Sequence, residues 1–548
     1  MTAHVAHLLN QPPAIILTQY HSQHEHPAMT HSTAPNTPFT PHNITGIAHP
    51  SRAILRPTTV EEVQALVAQA RRDHTPLYPL STGFNWGYGS RSPVTPNNSL
   101  LDLSGMNRIL NADAISVDNP VAVIEPGVTQ AQLYDFLHQH CPELTFNVSG
   151  AGRDTSLIGN ALDRGVGYFG PRKEDLFGLE IVTGTGDILR TGFRRLGEDS
   201  PLAHTHPYGL GPMLDGLFFQ GNFGIVTSAC FLLRPRRPRE VAVSLSLRNP
   251  NDLAEFIDTL ARLKRDGLLT SVTHIGNRAR NHSTLMYGIT QYLHQHSGLS
   301  AEAALQEGEQ ALNLVAPHEW TSLASVTGNH GQVRACLKEI RRRTRSIASL
   351  RVVTERLLDI GFAVTHALRF IPWARANAAA IHAMRPLHHL ALGQPTDIPI
   401  ENLLWKFAHS STRPAELDQS RCGLLFISPA LPLGGALVAE VIAGLQAIAQ
   451  QHDHLLYMTL NIETATSLVA IINLLFDRDD PAQTERAHQC ARDLLNYIHQ
   501  QGLSPYRARI DMMDQIVSAD DPYWQTVRQL KTVFDPDHII APGRYNLV

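Results

Sequence analysis

The stretch "PLSTGFNWGYGSRSP", residues 79–93, sets Ser81, Thr82, Gly83, Gly87 and Gly89 beside Trp86 and Tyr88 in one short loop. It follows "TPLYPL", which reads as a short buried strand. A dinucleotide fingerprint would need G-x-G-x-x-G between a strand and a helix. Gly83, Gly87 and Gly89 have the wrong spacing, and Gly184-x-Gly186 falls in a hairpin. No G-x-x-x-x-G-K-[ST] occurs either. Two readings of the loop remain. Its backbone N–H groups, helped by the Ser81 and Thr82 hydroxyls, can converge on an anion such as a pyrophosphate. The absence of lysine then suits a phosphate that is held rather than transferred. A tight turn whose glycines supply positive φ explains the loop equally well, and the loop alone does not decide.

Working outward, "RPTTVEEVQALVAQARR" predicts a helix. Thr59 and Glu62 have the spacing of a capping box, and Val63, Leu66, Val67 and Ala70 form one apolar face. "SLLDLSGM" and "VAVIEPGVT" read as strands. Thr129 and Gln132 start a further helix with Leu133, Phe136 and Leu137 inward. "LEIVTGTGDILRTG" predicts a hairpin that turns at Gly184 to Asp187. The alternation of strands and short helices is that of an α+β unit. After "RPRRPRE" glycine clusters thin out, and strands such as "VAVSLSL" and "RCGLLFISPALP" alternate with long helical patterns as in a second α+β domain. Turn chemistry returns near the C-terminus, with Tyr506 and Arg507 side by side.

At 548 residues two or more domains are expected. A formal charge of −4 argues against nucleic-acid binding, and no apolar run approaches the roughly 18–20 residues of a membrane span. The five cysteines are scattered and form neither a disulfide framework nor a zinc site. With no secretory signal visible, a cytoplasmic location is expected. Residues 1–47 read as a loosely held arm; His21, His24, His26 and His31 lack partners at metal-ligating spacing, so no metal is expected.

Six segments in one order carry a resemblance: the opening loop, "AVIEPGVTQAQLYDFL", "SLIGNALDRGVGY", "YGLGPMLDGLFFQGNFGIVT", "SPYRARIDMMDQI" and "FDPDHIIAPGRYN". From about residue 50 to the C-terminus the chain resembles the flavin-dependent family of vanillyl-alcohol oxidase and p-cresol methylhydroxylase. The resemblance implies a two-domain α+β fold. An FAD-binding domain would span residues 48–236 and be completed by the return at 498–548, with a cap or substrate domain at 237–497 between them.

The same resemblance implies FAD and a set of residues. Ser81, Thr82, Gly83, Asn85, Trp86, Gly87, Tyr88 and Gly89 would hold the cofactor in the opening loop. Pro126, Gly127, Val128, Gly150, Ile158, Gly159 and Asn160 would line it, Asn222, Gly224, Ile225 and Val226 would grip its adenine side, and Arg544 and Tyr545 would clasp it. Tyr88, Tyr506 and Arg507 match the trio that surrounds a phenolic oxygen in relatives. An ionised para-alkylphenol loses benzylic hydride readily because the product is a quinone methide. A phenol titrates near pH 10 in water, and one guanidinium with two hydroxyl donors lowers that value. The implied partners are a small-molecule substrate and an electron acceptor, O2 or a redox carrier; a homodimer is expected.

Three departures stand out. Where oxidase relatives carry "PDLGGG", this chain reads "SGAGRDTS", so Asp154 is the corresponding catalytic candidate, three residues nearer the next motif. Leu424 stands where oxidases carry a flavin-linking histidine, which predicts noncovalent FAD. Trp86 brings a bulky indole to the substrate side, and Glu463 in "LNIETATS" is a further acid for the substrate site. Oxidation of a 2-hydroxy acid, or a non-catalytic FAD-fold partner protein, are the alternatives.

Overall fold

The computed structural model describes residues 38–406 and 414–548; His21, His24, His26 and His31 lie outside them. Thr59 opens the first helix, Val60–Asp73, and its side chain accepts from the Glu62 amide. The return bond is shifted by one residue from a capping box, because Glu62 Oε2 accepts from the Thr58 amide at 2.6 Å. Val63, Val67 and Ala70 are buried, and Leu66 packs against the same cluster. That cluster covers a parallel three-stranded sheet with Asn98–Asp102 between Ser51–Leu55 and Leu77–Leu80. The middle strand is buried throughout, as strands of a parallel sheet covered on both faces are.

An antiparallel sheet follows, in the order Val121–Ile124, Gly224–Leu232, Leu176–Thr183, Ile188–Arg190. The last two strands form the expected hairpin, with Gly186 at φ +90 in its turn. Thr129 caps the helix Gln130–His140 through the Gln132 amide, and Leu133 and Leu137 are buried while Phe136 is partly so.

The middle of the chain builds an antiparallel sheet in the order Ala348–Val353, Arg239–Leu247, Trp320–Gly328, Thr273–Asn277, Tyr457–Ile462, Ser467–Asp477, Cys422–Ile427. Side chains alternate across its two faces. Val241, Val243, Ile275, Leu460, Ile472 and Leu425 join a core covered by the helices Leu253–Arg265, Gly435–Gln451 and Pro481–Gln500. Their neighbours Ala242, Ser244, His274, Gly276, Asn461, Ile471 and Leu424 face a cavity instead. The sheet is therefore packed on one side and serves as a cavity wall on the other.

The C-terminal segment returns to the first unit. The Leu77 amide donates to the Ile539 carbonyl and the Ala541 amide to that of Leu77, both at 2.7 Å. Buried Lys531 secures the turn: Nζ pairs with Asp535 at 2.6 Å and donates to the Ile540 carbonyl at 2.7 Å. The fold is α+β, with one unit made from both ends of the chain and a second built from its middle.

Residues 38–47, expected to continue a loose arm, are pinned instead. The Ile44 amide donates to Asp418 Oδ1 at 2.9 Å, His488 Nε2 donates to the Thr45 carbonyl at 2.9 Å, and Ile44 is fully buried. Among the described residues no helix is long and apolar enough to cross a membrane.

Candidate active site

Two cavities adjoin between the sheets. The smaller, about 220 Å³, runs along the opening loop; the larger, about 390 Å³, lies under the cap sheet. Phe84, Asn85, Asn160 and Arg507 line both.

The smaller cavity collects Ser81, Thr82, Gly83 and Asn85 from the loop, with Pro126, Ile158, Gly159 and Asn160. Gly224, Ile225 and Val226, and Arg544 and Tyr545 from the C-terminus, complete it. Among the described residues the amides of Thr82, Gly83, Phe84 and Asn85, which line this cavity, donate no hydrogen bond, so they are free for an anion. Gly159 lies under Ser81: a Cβ there would come within 2.2 Å of the Ser81 hydroxyl. Asn160 Oδ1 and Arg544 Nη1 are buried without a hydrogen-bond partner among the described residues. Buried polar atoms left unpaired are rare in proteins, so a cradle of unpaired donors and an acceptor fits an elongated polar cofactor such as FAD.

Several residues expected to touch the cofactor build the walls instead. Gly87 is glycine because its φ is +74 and a Cβ would meet Phe426 of the cap at 2.3 Å. Gly89, at φ +135, is crowded by Ile510 at 2.5 Å. Gly127 lies against the Ser104 carbonyl, 2.4 Å from a Cβ position, and Val128 is wholly inside the core. Asn222 ties down the C-terminus through its Nδ2 bond to the Ala541 carbonyl at 3.0 Å. Asp154 is exposed and lines neither cavity.

The carboxylate that does stand between the cavities is Asp163, which the sequence reading passed over. Its Oδ2 accepts from Arg507 Nε at 2.7 Å and from Asn85 at 3.1 Å, and its Oδ1 accepts from Arg544 at 3.1 Å. Burial works to raise the Asp163 carboxyl, but the two arginines outweigh it and hold it below the ordinary carboxylate range. Two guanidinium groups against one carboxylate leave a surplus positive charge in this wall.

Tyr88, Tyr506, Arg507, Trp86 and Gly150 line the larger cavity. Arg507 stacks on the Tyr88 ring, 4.1 Å from its centroid, and the ring's other contact is Phe426, parallel at 4.8 Å. The Tyr88 and Ser428 hydroxyls share a hydrogen bond of 2.9 Å, and the Tyr506 hydroxyl donates to the Arg164 carbonyl at 2.6 Å. Burial raises both phenol pKa values, against the pull of Arg507. Both side chains therefore stay neutral and serve as hydrogen-bonding groups. Trp86 stacks on Phe84 at 4.9 Å, and its buried Nε1 has no hydrogen-bond partner among the described residues. Glu463 lines neither cavity and is buried at the end of a cap strand; burial pushes its carboxyl up to about 7, with Lys173 pulling the other way.

Residues 51–192 match the model of an FAD binding domain. Over 516 residues the chain is 31% identical to 1'-carboxy-chondrochloren decarboxylase of Chondromyces crocatus, covering 91% of each chain. It is 26% identical over 500 residues to the flavoprotein subunit of 4-cresol dehydrogenase [hydroxylating] of Pseudomonas putida, covering 91% of this chain and 88% of that one. Among solved structures, a 4-ethylphenol oxidase from Gulosibacter chungangensis superposes with a TM-score of 0.76 at 24% identity, over 91% and 90% of the two chains. A p-cresol methylhydroxylase with bound substrate superposes at 0.74, also at 24% identity, over 92% and 91%. The full-length likeness, the matched FAD domain and the cradle beside Asp163 agree: this chain belongs to the flavoprotein family of vanillyl-alcohol oxidase and p-cresol methylhydroxylase, and it is an FAD-dependent oxidoreductase.

Proposed function

We propose that the protein oxidises a para-substituted phenol, or a like aryl alcohol, by removing hydride from its benzylic carbon. The observation that carries this reading is Arg507, set with Tyr88 and Tyr506 in the wall of a cavity that adjoins the cofactor cradle. FAD, when bound, supplies the hydride acceptor. The residues do the rest. Arg507 keeps its charge, because Asp163 and the neighbouring phenol groups outweigh the effect of burial. It is held by Asp163 on one side and stacked on Tyr88 on the other, so little side-chain freedom is left to lose when a substrate binds. Its charge lowers the pKa of a nearby phenol, and the Tyr88 and Tyr506 hydroxyls supply hydrogen bonds. Donating to a phenolate requires Tyr506 to release the Arg164 carbonyl. Water addition to the resulting quinone methide, or proton loss from it, completes the reaction. The phenols for which the 4-cresol and 4-ethylphenol relatives are named support the same reading.

In this proposal Ser81, Thr82, Gly83, Asn85, Ile158, Gly159, Asn160 and Arg544 hold FAD noncovalently, since Leu424 brings an alkyl group to the cavity where a linking histidine would stand. The FAD domain comprises 48–236 with 498–548, the cap 237–497. A cytoplasmic homodimer with O2 or a redox carrier as acceptor completes the proposal. Exposed Leu357, Ile360, Val364, Phe370 and Trp373 support the dimer.

Anaerobic addition of 4-alkylphenols to the purified yellow protein tests the reading. The flavin absorbance bleaches, and Arg507→Ala slows bleaching by about 100-fold or more. Acid precipitation leaves the colour in the supernatant. Bleaching by lactate but by no 4-alkylphenol would replace this reading with the hydroxy-acid one.

A further inference from the structure

Arg280 is a cation in the wall of the larger cavity. It sits in the first turn of the helix Arg278–Ser297, and its half-buried side chain lines the larger cavity. Among the described residues no carboxylate lies within ion-pair distance of it, whereas its neighbour Arg278 reaches Glu309 at 3.4 Å. No Asp or Glu lines this cavity among the described residues. The other cavity arginine, Arg507, has a carboxylate partner, Asp163 at 2.5 Å, which it shares with Arg544.

Nothing nearby substitutes for an acid. Tyr168, the group most strongly coupled to Arg280, has its phenol pushed up to about 12 by burial, so it stays neutral. His274 is uncharged: burial draws its pKa down to about 4, although its Nδ1 donates to Asn461 Oδ1 at 2.8 Å. His274 Nε2 is buried with no hydrogen-bond partner among the described residues. Position adds to the cost. The start of a helix carries a partial positive charge, which disfavours a cation and favours an anion. Even a half-buried cation gives up part of its hydration with no counterion in return, so its retention in a cavity wall points to a ligand.

We propose that the substrate carries a carboxylate that pairs with Arg280, making it a 4-hydroxyphenyl compound with an acidic side chain. This rests on the phenol reading above and extends it. One guanidinium with no lysine beside it matches a monovalent carboxylate, whose two oxygens accept a bidentate pair of N–H bonds. A phosphate would call for more cations than this wall supplies.

The test uses the holoenzyme and three probes: 3-(4-hydroxyphenyl)propanoate, its neutral near-isostere 4-propylphenol, and 3-phenylpropanoate, which has no phenol to ionise. The concentration dependence of anaerobic flavin bleaching gives Kd for the first two. The wild-type protein binds the carboxylate about 10- to 100-fold more tightly. Arg280→Ala brings the ratio of the two Kd values close to one, and Arg280→Lys restores part of it. A wild-type ratio near one, or a ratio unchanged in Arg280→Ala, overturns the proposal.

Thermal shift with 3-phenylpropanoate separates this inference from the phenol reading. Stabilisation that Arg280→Ala abolishes and Arg507→Ala keeps supports the anion subsite even if no phenol bleaches the flavin. No stabilisation of the wild-type protein, alongside normal bleaching by 4-propylphenol, removes the subsite and leaves the phenol reading standing.

Discussion

Glu463 shows how one residue's surroundings turn into a measurable pH dependence. The residue is 9% exposed, its Oε1 has no hydrogen-bond partner among the described residues, and burial raises its carboxyl pKa to about 7. In the unfolded chain it titrates near 4.3. Between these values the folded state holds a proton that the unfolded state has released, so this group's contribution to stability falls as pH rises through that window. Glu463→Gln removes the effect. At pH 8 the variant is expected to be more stable than wild type by about 1–3 kcal/mol, and at pH 4 the two are expected to melt alike. Melting temperatures at the two pH values check this; equal shifts at both would show that the carboxyl is solvated. At this scale the sequence was only partly legible. Tyr88, Tyr506 and Arg507 stood out through their motifs. Asp163 did not, although it lies inside the "SLIGNALDRGVGY" motif, because the arginines it bridges are 344 and 381 residues away.

Among elements, the opening loop and the cap sheet show what local pattern carries. The loop's glycines were legible as glycines that matter, and the structure divides their reasons. Gly83 lines the cofactor cavity, while Gly87 and Gly89 let the loop pass under Phe426 and Ile510. Gly87→Ala must both adopt a left-handed φ and displace a ring, whereas Gly186→Ala at the hairpin turn, φ +90, meets nothing within 4 Å. The second change is expected to cost about 1–2 kcal/mol of backbone strain. The first adds about 1–3 kcal/mol of overpacking and loosens FAD, because the same loop carries Thr82, Gly83 and Asn85 into the cofactor cavity. Chemical denaturation and flavin content of the two variants test this; equal losses would mean that the cap does not seat on the loop. In the cap sheet, period-two alternation is visible in "VAVSLSL", yet nothing local says that its small and polar face meets a cavity rather than solvent.

Across the whole molecule, the site exists only because the C-terminus returns to the first sheet. Arg507 and Arg544 both come from that return, and Lys531 anchors it through buried Asp535, whose carboxylate also accepts the Ile539 and Ile540 amides at 3.2 and 2.8 Å. Lys531→Ala leaves that carboxylate without its cation and the Ile540 carbonyl without a donor. A loss of about 3–5 kcal/mol is expected, together with weaker FAD retention, read by thermal melting and by the flavin-to-protein absorbance ratio. Unchanged melting would show that the return is held by its apolar contacts alone. The sequence by itself determined where helices begin, where strands alternate, where turns need glycine and which family the ordered motifs resemble, because caps, periodicity and backbone conformation depend on residues a few positions apart. The tertiary structure alone decided that Asp163 joins two distant arginines, that Gly87 answers to a cap phenylalanine, that Asp154 faces solvent, and that Arg280 has no counterion among the described residues. Burial and charge compensation are sums over segments hundreds of residues apart, and no local window contains their terms.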